Sequence, residues 1–243
     1  MITLYTGTPG SGKSLHVIQV ILKALRWKKQ VIANFPIKFN TKESKKGYEE
    51  RFHYYTNENI TVESLIDFAL NNGLIEKAKE SQCLVVIDEA GGRFNVRDFN
   101  KKERAAWIDF FSQHRKLGYD FILVAQNDRM IDRQIRGYVE IEKKHRKVNN
   151  YSFFQLLPFI KIFVSIEHWY TAKQRVSSEL FLYRKEYGER YDTMKMFDGF
   201  ILSEEMMRKI NLKRGIEVGE QNPLITESID VIYVEETTNN GSE

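Results

Sequence analysis

Apolar and polar positions fall in blocks along this chain, and the period changes from block to block. Ile2-Thr3-Leu4-Tyr5-Thr6 reads as a short strand and breaks at a glycine-rich stretch. From Ser14 to Trp27 the period lengthens, and Leu15, Ile18, Ile21, Leu22 and Leu25 recur on one face of a helix. Residues 30–34 return to a strand that stops at Phe35-Pro36. Residues 40–50 are polar and charged without an apolar period, and read as an exposed loop. Thr61 is a candidate cap for a helix through Leu65, Phe68 and Ala69 to about Asn71, with Asn72-Gly73 as its stop. Cys83 to Ile87 and Phe121 to Ala125 are continuous apolar runs, as expected of parallel strands buried on both faces. Between them, residues 102–116 read as a helix with Ala105, Ile108, Phe111 and Leu117 on one side and Gly118 near its stop. Residues 128–136 read as a further short helix.

Strands alternating with helices predict an α/β fold with a mainly parallel sheet. Beyond about residue 137 the character changes. Short runs at 138–141, 159–167 and 180–183 predict added, largely antiparallel strands, with Asn149-Asn150 as a hairpin turn between two of them. Ser203 caps a candidate last helix to Ile210, and residues 235–243 have the polar, acidic composition of a disordered tail. The expected division is a main domain over 1–200, a helix-and-strand extension over 201–234, and the tail.

Composition narrows this little. The chain has 243 residues, enough for a sizeable core, and its 37 basic and 33 acidic side chains leave a formal charge of +4, which singles out neither nucleic acid nor a membrane surface as a partner. The single cysteine, Cys83, lies inside an apolar run and reads as a core residue, so no internal disulfide is available. The histidines show no metal-ligand spacing. No signal peptide and no apolar run of about 18 residues is legible, and the nearest candidate, 153–166, is broken by Gln155, Pro158 and Lys161. The expectation is that this chain by itself does not span a membrane.

The chemistry is concentrated in two places. Gly7-Thr8-Pro9-Gly10-Ser11-Gly12-Lys13-Ser14 satisfies the phosphate-loop pattern and sits between a strand and a helix, as the pattern requires. Glycines let the backbone curl so that N–H groups face phosphate oxygens, and the helix start adds the positive end of a dipole. Lys13 is placed for the β- and γ-phosphates, and the Ser14 hydroxyl for Mg²⁺. The second place is Leu84-Val85-Val86-Ile87-Asp88-Glu89, an apolar strand with two acids at its C-terminal end, where open parallel sheets bind ligands. Asp88 is the expected partner of Mg²⁺ and Glu89 the group that orients and deprotonates a water. Gln126 ends the strand Phe121 to Ala125 and is a candidate sensor of the γ-phosphate or the water. No base-reading Asn-Lys-x-Asp motif of the GTPase type is present, which favours ATP. Arginines after the second motif, Arg115 and Arg133 foremost among Arg93, Arg97, Arg115, Arg133 and Arg136, are candidates to complete a neighbouring subunit's site.

Three stretches together resemble the zonular occludens toxin (Zot) domain, a family that includes the gene I ATPases of filamentous phages. They are residues 2–14, Val86-Ile87-Asp88-Glu89-Ala90, and Gln113-His114-Arg115-Lys116-Leu117-Gly118-Tyr119-Asp120-Phe121 followed by Val124-Ala125-Gln126. The resemblance covers roughly 1–200. It implies a RecA-like, additional-strand, catalytic-glutamate P-loop ATPase related to the FtsK and HerA motors. It carries Lys13, Ser14, Asp88, Glu89 and Gln126 over as nucleotide-site residues and places Arg115 in the family block. It also implies a homo-oligomer, a ring being one form, at the cytoplasmic face of the host inner membrane. There it would work with phage assembly or membrane partner proteins during virion assembly and export. The phage members continue into a transmembrane helix and an extracytoplasmic part. Neither is legible here, so the chain reads as a domain of a longer protein or as a member that docks on a membrane partner.

Other readings remain beside this one. A nucleotide-dependent switch and a DNA-translocating or packaging ATPase share the same motifs. A small-molecule P-loop kinase is disfavoured by Glu89 and by the β-rich second half. Lys143-Lys144-His145-Arg146-Lys147, with Tyr151, Phe153 and Phe154, could follow single-stranded DNA, though a charged hairpin over core aromatics explains the same composition.

Overall fold

The computed structural model describes residues 1–77, 79–95, 101–148 and 161–190. The chain divides into two compact units, Met1–Lys195 and Met196–Glu243, and the described residues all belong to the first.

The strands are β1 (Ile2–Thr6), β2 (Gln30–Ala33), β3 (Phe52–Tyr54), β4 (Cys83–Ile87), β5 (Tyr119–Val124), β6 (Ile141–Lys147), β7 (Ile162–Trp169) and β8 (Arg175–Leu182). The helices are α1 (Lys13–Arg26), α2 (Thr41–Ser44), α3 (Val62–Asn71), α4 (Ala90–Arg93), α5 (Lys101–Gln113), α6 (Arg133–Arg136) and α7 (Lys185–Gly188). One sheet holds all the strands in the order β3-β2-β4-β5-β1-β6-β7-β8. From β3 through β6 neighbouring pairs run parallel, and β6–β7 and β7–β8 are antiparallel. The expected α/β class, with antiparallel strands added in the second half, is the observed one.

Alternation along the central strands divides the core in two. Ile2, Leu4, Ile32, Val85, Ile87, Phe121 and Leu123 point to one face, where α3 and α5 cover them with Leu65, Phe68, Trp107, Phe110 and Phe111. Tyr5, Val31, Ala33, Leu84, Val86, Ile122 and Val124 point to the other, beneath Val17, Ile18, Ile21, Leu22 and Leu25 of α1. Every residue of β1 and of β4 is buried, the signature of strands covered on both sides.

Local reading needs correction in three places. Residues 40–50 are not a plain loop. Asn40 and Glu43 form a capping box at the start of α2, Tyr48 is buried, and buried Arg190 pairs with Glu43. The covered side of α5 is only partly the one expected: Phe111 is buried and Leu117 packs on the core as expected, but Trp107 and Phe110 are buried in place of exposed Ala105 and half-buried Ile108. Residues 128–136 are a 3₁₀ turn, Asp128–Met130, followed by α6 rather than one helix. Thr61 does cap α3, in a reciprocal pair with Ser64. The Asn149-Asn150 turn, Arg97, Tyr151, Phe153, Phe154, the 203–210 helix and the tail lie outside the described residues. Among the described residues, no helix is long and apolar enough to cross a membrane.

Candidate nucleotide site

The glycine-rich stretch forms the turn from β1 into α1, at the C-terminal edge of the parallel strands. Two of its glycines are required. Gly7 has φ +147°, and a Cβ there would lie 2.5 Å from the His145 carbonyl oxygen. Gly12 has φ +93°, and a Cβ would meet the Phe163 ring at 2.7 Å. The loop is therefore pressed against β6 and β7. Thr8, Pro9 and Gly10 form its exposed rim. Ser11 is buried, and its Oγ makes no hydrogen bond among the described residues.

Lys13 opens α1, followed by half-buried Ser14. Lys13 Nζ donates to the carbonyls of Gly7 (2.8 Å) and Thr8 (3.2 Å), so the ammonium lies across the loop. Burial pushes its pKa down from the ordinary lysine value, and Asp88 and Glu89 push it back in part. Glu89 shows the reciprocal pattern. Although the residue is exposed, partial shielding of its carboxyl raises its pKa first, the Asp88 charge raises it further, and Lys13 opposes. The fold thus gathers Lys13, Asp88 and Glu89 into one electrostatic cluster, although they come from strands separated by β5.

Asp88 is buried just beyond β4, and Glu89 is exposed. Glu89 adopts a left-handed backbone (φ 50°, ψ 39°), and its N–H donates to Asp88 Oδ1 at 2.9 Å. That conformation costs a non-glycine residue roughly 1 kcal/mol and turns the carboxylate out of the strand line at the sheet edge. Gln126 follows β5, and its carbonyl accepts from Gly7 N–H at 3.3 Å; its side chain is exposed beside the loop.

Arg115 is not brought to this cluster. It follows α5 and pairs with Glu140, which also accepts the N–H of Ile2 at the far end of β1. The length of β1, roughly 16 Å at strand rise, separates that end from the loop. Arg133 is exposed on α6, Arg136 pairs with Asp128 at 3.5 Å, and Arg93 is engaged by Glu103 and the Ile60 carbonyl. Lys143 and Lys144 already face Glu167 (3.3 Å) and Glu142 (3.6 Å), and Arg146 of that basic run is exposed.

Two features next to the site have no sequence signature. His16 of α1 and His145 of β6 are both buried and joined through Nδ1 and Nε2 at 2.8 Å. His145 Nδ1 donates to the Lys143 carbonyl at 3.0 Å, which leaves its Nε2 to accept from His16. Burial pushes their pKa values down to about 3 and about 4 respectively. The other feature is Asn34, buried at the end of β2 and bonded to the backbone of Asp88.

The family description for zonular occludens toxin (Zot) matches residues 1–184. The chain belongs to the Zot family. Gene 1 protein of Enterobacteria phage I2-2 is 29% identical over 136 residues, covering 56% of this chain and 37% of that protein. Gene 1 protein of Enterobacteria phage M13 is 36% identical over 77 residues, 32% of this chain and 22% of that protein. This Zot chain therefore spans less than half the length of the curated relatives it matches. Among solved structures, the N-terminal domain of zonular occludens toxin from Neisseria meningitidis superposes with a TM-score of 0.50 at 18% identity, covering 79% of this chain and 98% of that one. That likeness shows the shared P-loop α/β fold. The position of β5, between the loop strand β1 and the acidic strand β4, is the additional strand the family resemblance implied.

Proposed function

We propose that this Zot-family chain hydrolyses ATP with Mg²⁺ and works as a motor domain in filamentous phage assembly and export. The observation that carries the reading is the phosphate loop after β1 and the Asp88–Glu89 pair after β4, set on either side of the additional strand β5 in one parallel sheet, with Lys13 and both acids within electrostatic reach of one another. The gene 1 relatives from filamentous phages support the biological setting.

The residues present fit the substrate. The buried, unbonded Ser11 hydroxyl and the glycine backbone around it suit a polyphosphate. A hydroxyl at Ser14 and one buried carboxylate at Asp88 suit Mg²⁺, which takes few protein ligands and shares the rest with phosphate and water. Bound there, Mg²⁺ would neutralise charge on the transferring phosphoryl group. Lys13 would exchange its carbonyl partners for phosphate oxygens. Glu89 would accept the proton of a water whose oxygen bonds to the γ-phosphorus, as the bond to ADP breaks. Its raised pKa suits a general base better than a fully exposed carboxylate would. Gln126 stands beside the loop for contact with the γ-phosphate or the water. An arginine such as Arg115 could act only on a neighbouring subunit's site, so its participation requires a homo-oligomer. Docking at the cytoplasmic face of the inner membrane, through a partner protein, and contact with single-stranded DNA complete the reading.

The test is Mg²⁺-dependent phosphate release from ATP across protein concentrations, with and without single-stranded DNA. Turnover per chain should rise with concentration. Glu89→Gln should lower it by about 10²-fold or more while keeping nucleotide affinity, and Lys13→Ala should abolish binding. Tight binding without turnover at any concentration would instead mark a nucleotide-dependent switch.

A further inference from the structure

Asn34 holds the acidic turn by its main chain. Its side chain, 2% exposed, accepts the Asp88 N–H at Oδ1 (2.7 Å) and donates from Nδ2 to the Asp88 carbonyl (2.8 Å). The second Nδ2 proton goes to Asn57 Oδ1 at 2.7 Å. A carboxamide offers one acceptor and two donors on opposite arms, and this pattern uses both arms, so the amide orientation is fixed by its partners. No other side-chain type of this size could serve the N–H and C=O of one residue together.

The consequence falls on Glu89. Its left-handed backbone begins at the peptide whose carbonyl Asn34 holds, and its N–H is tied to Asp88 Oδ1. With Asp88 released, that turn has an easy route to an ordinary conformation, which would swing the carboxylate away from Lys13. Asn57 lies in the segment between β3 and α3. The same segment is tied to the acidic turn a second time, because Arg93 of α4 donates to the Ile60 carbonyl at 3.2 Å. Residues 57–60 are thus fastened to both ends of the 88–93 turn.

We infer that Asn34 is a positioning residue for Glu89, and that Asn57 makes the 56–60 segment a lever through which a contact at that edge of the sheet sets the rate of hydrolysis. The inference rests on the ATPase reading above.

Two measurements on the full chain test it. In steady-state hydrolysis, Asn34→Ala should lower kcat by about 10- to 100-fold with nucleotide Kd within about 2-fold of wild type. Asn57→Ala should lower it by a smaller factor, about 3-fold. Asn34→Asp keeps the acceptor but sets a carboxylate against the Asp88 and Asn57 oxygens, so it should be no faster than Asn34→Ala. In amide exchange read by mass spectrometry, peptides covering 88–92 should exchange faster in both alanine variants, while those covering 83–86 should not. Wild-type kcat in Asn34→Ala would overturn the inference. So would a loss of kcat, affinity and Tm in step, which marks a purely structural role. A wild-type chain that binds ATP without turnover would sink the hydrolysis reading alone. Exchange at 88–92 would then test the coupling of Asn57 to the acidic turn by itself: acceleration in Asn57→Ala upholds that coupling, and no change overturns it together with the lever.

Discussion

The His16–His145 pair should make this fold acid-labile, by an amount the structure sets. Both rings are buried and neutral, with pKa values pushed down to about 3 and about 4 from an ordinary 6.5. The charged groups around them are Glu179 on β8, Lys143 on β6 and Lys13 at the start of α1. The two lysines reinforce the depression. Glu179, at 3.8 Å from His16 Nε2, is exposed and too well solvated to reverse it. Because the folded values lie below the unfolded one, the unfolded chain binds more protons between pH 6.5 and about 4. Stability is therefore fully present above pH 6.5 and is lost as pH falls through that window. Each histidine contributes ~1.4 kcal/mol per pH unit, so the pair costs about 4 kcal/mol by pH 5. Against a typical total of ~5–15 kcal/mol, that is a large share. Urea unfolding of the wild type and of the His16→Gln/His145→Gln double variant, from pH 7.5 to 5, measures it. His53 and His114 are also pushed down by burial, but they contribute equally to both chains. The double variant should start less stable and lose stability more slowly, by close to two protons' worth of slope. Equal slopes, or an NMR titration of either ring with a midpoint near 6.5, would refute the reasoning.

Gly12→Ala should destabilise the chain by about 2–5 kcal/mol, from left-handed strain of ~1–2 and crowding of the Phe163 ring of ~1–3. In a double-mutant cycle, Phe163→Ala should remove the crowding part, and strict additivity would show that the ring does not press on the loop. The acid limb of kcat/KM, measured where circular dichroism stays native, should lie above the ordinary glutamate value of 4.5, since burial and Asp88 both raise Glu89; a limb at or below 4.5 would separate Glu89 from the proton transfer. Tyr119→Phe removes a buried donor, 2.6 Å from the Leu65 carbonyl, and should cost about 1–3 kcal/mol in chemical denaturation.

What could be read from the sequence was what is local in it. The phosphate loop is contiguous, so its residues and its strand–helix setting are legible together, and the acids after Leu84–Ile87 carry their own strand as a label. The α5 face was misjudged because Ala105, Ala106, Trp107, Ile108, Phe110 and Phe111 crowd more than half the helix circumference, and periodicity alone cannot choose among them. The aromatic ones won because they fill the space over Tyr119 and Phe121. Residues 40–50 carry a local capping box, Asn40 with Glu43, that a reading for apolar period overlooks, and Arg190, 147 positions away, adds a pair to the same Glu43. The Asn34–Asp88 clamp spans 54 positions and the histidine pair 129. The clamp and the histidine pair are built by the strand order, which no local pattern encodes.

The strand that carries the phosphate loop is made long before either strand it pairs with. β1 lies between β5 and β6, with Tyr5 opposite Val124 on one side and Lys143 on the other. A growing chain can form α1 and the β2–β3 ladder early. β1, however, has no edge to join until residues near 124 have left the ribosome, and no second edge until about 144. At ~5–20 residues per second this leaves the loop unassembled for roughly 6–24 seconds on each new chain. Nucleotide binding, which needs the closed loop, therefore reports that the central strands β5, β1 and β6 have come together. It is a late checkpoint of sheet assembly rather than a seed for it.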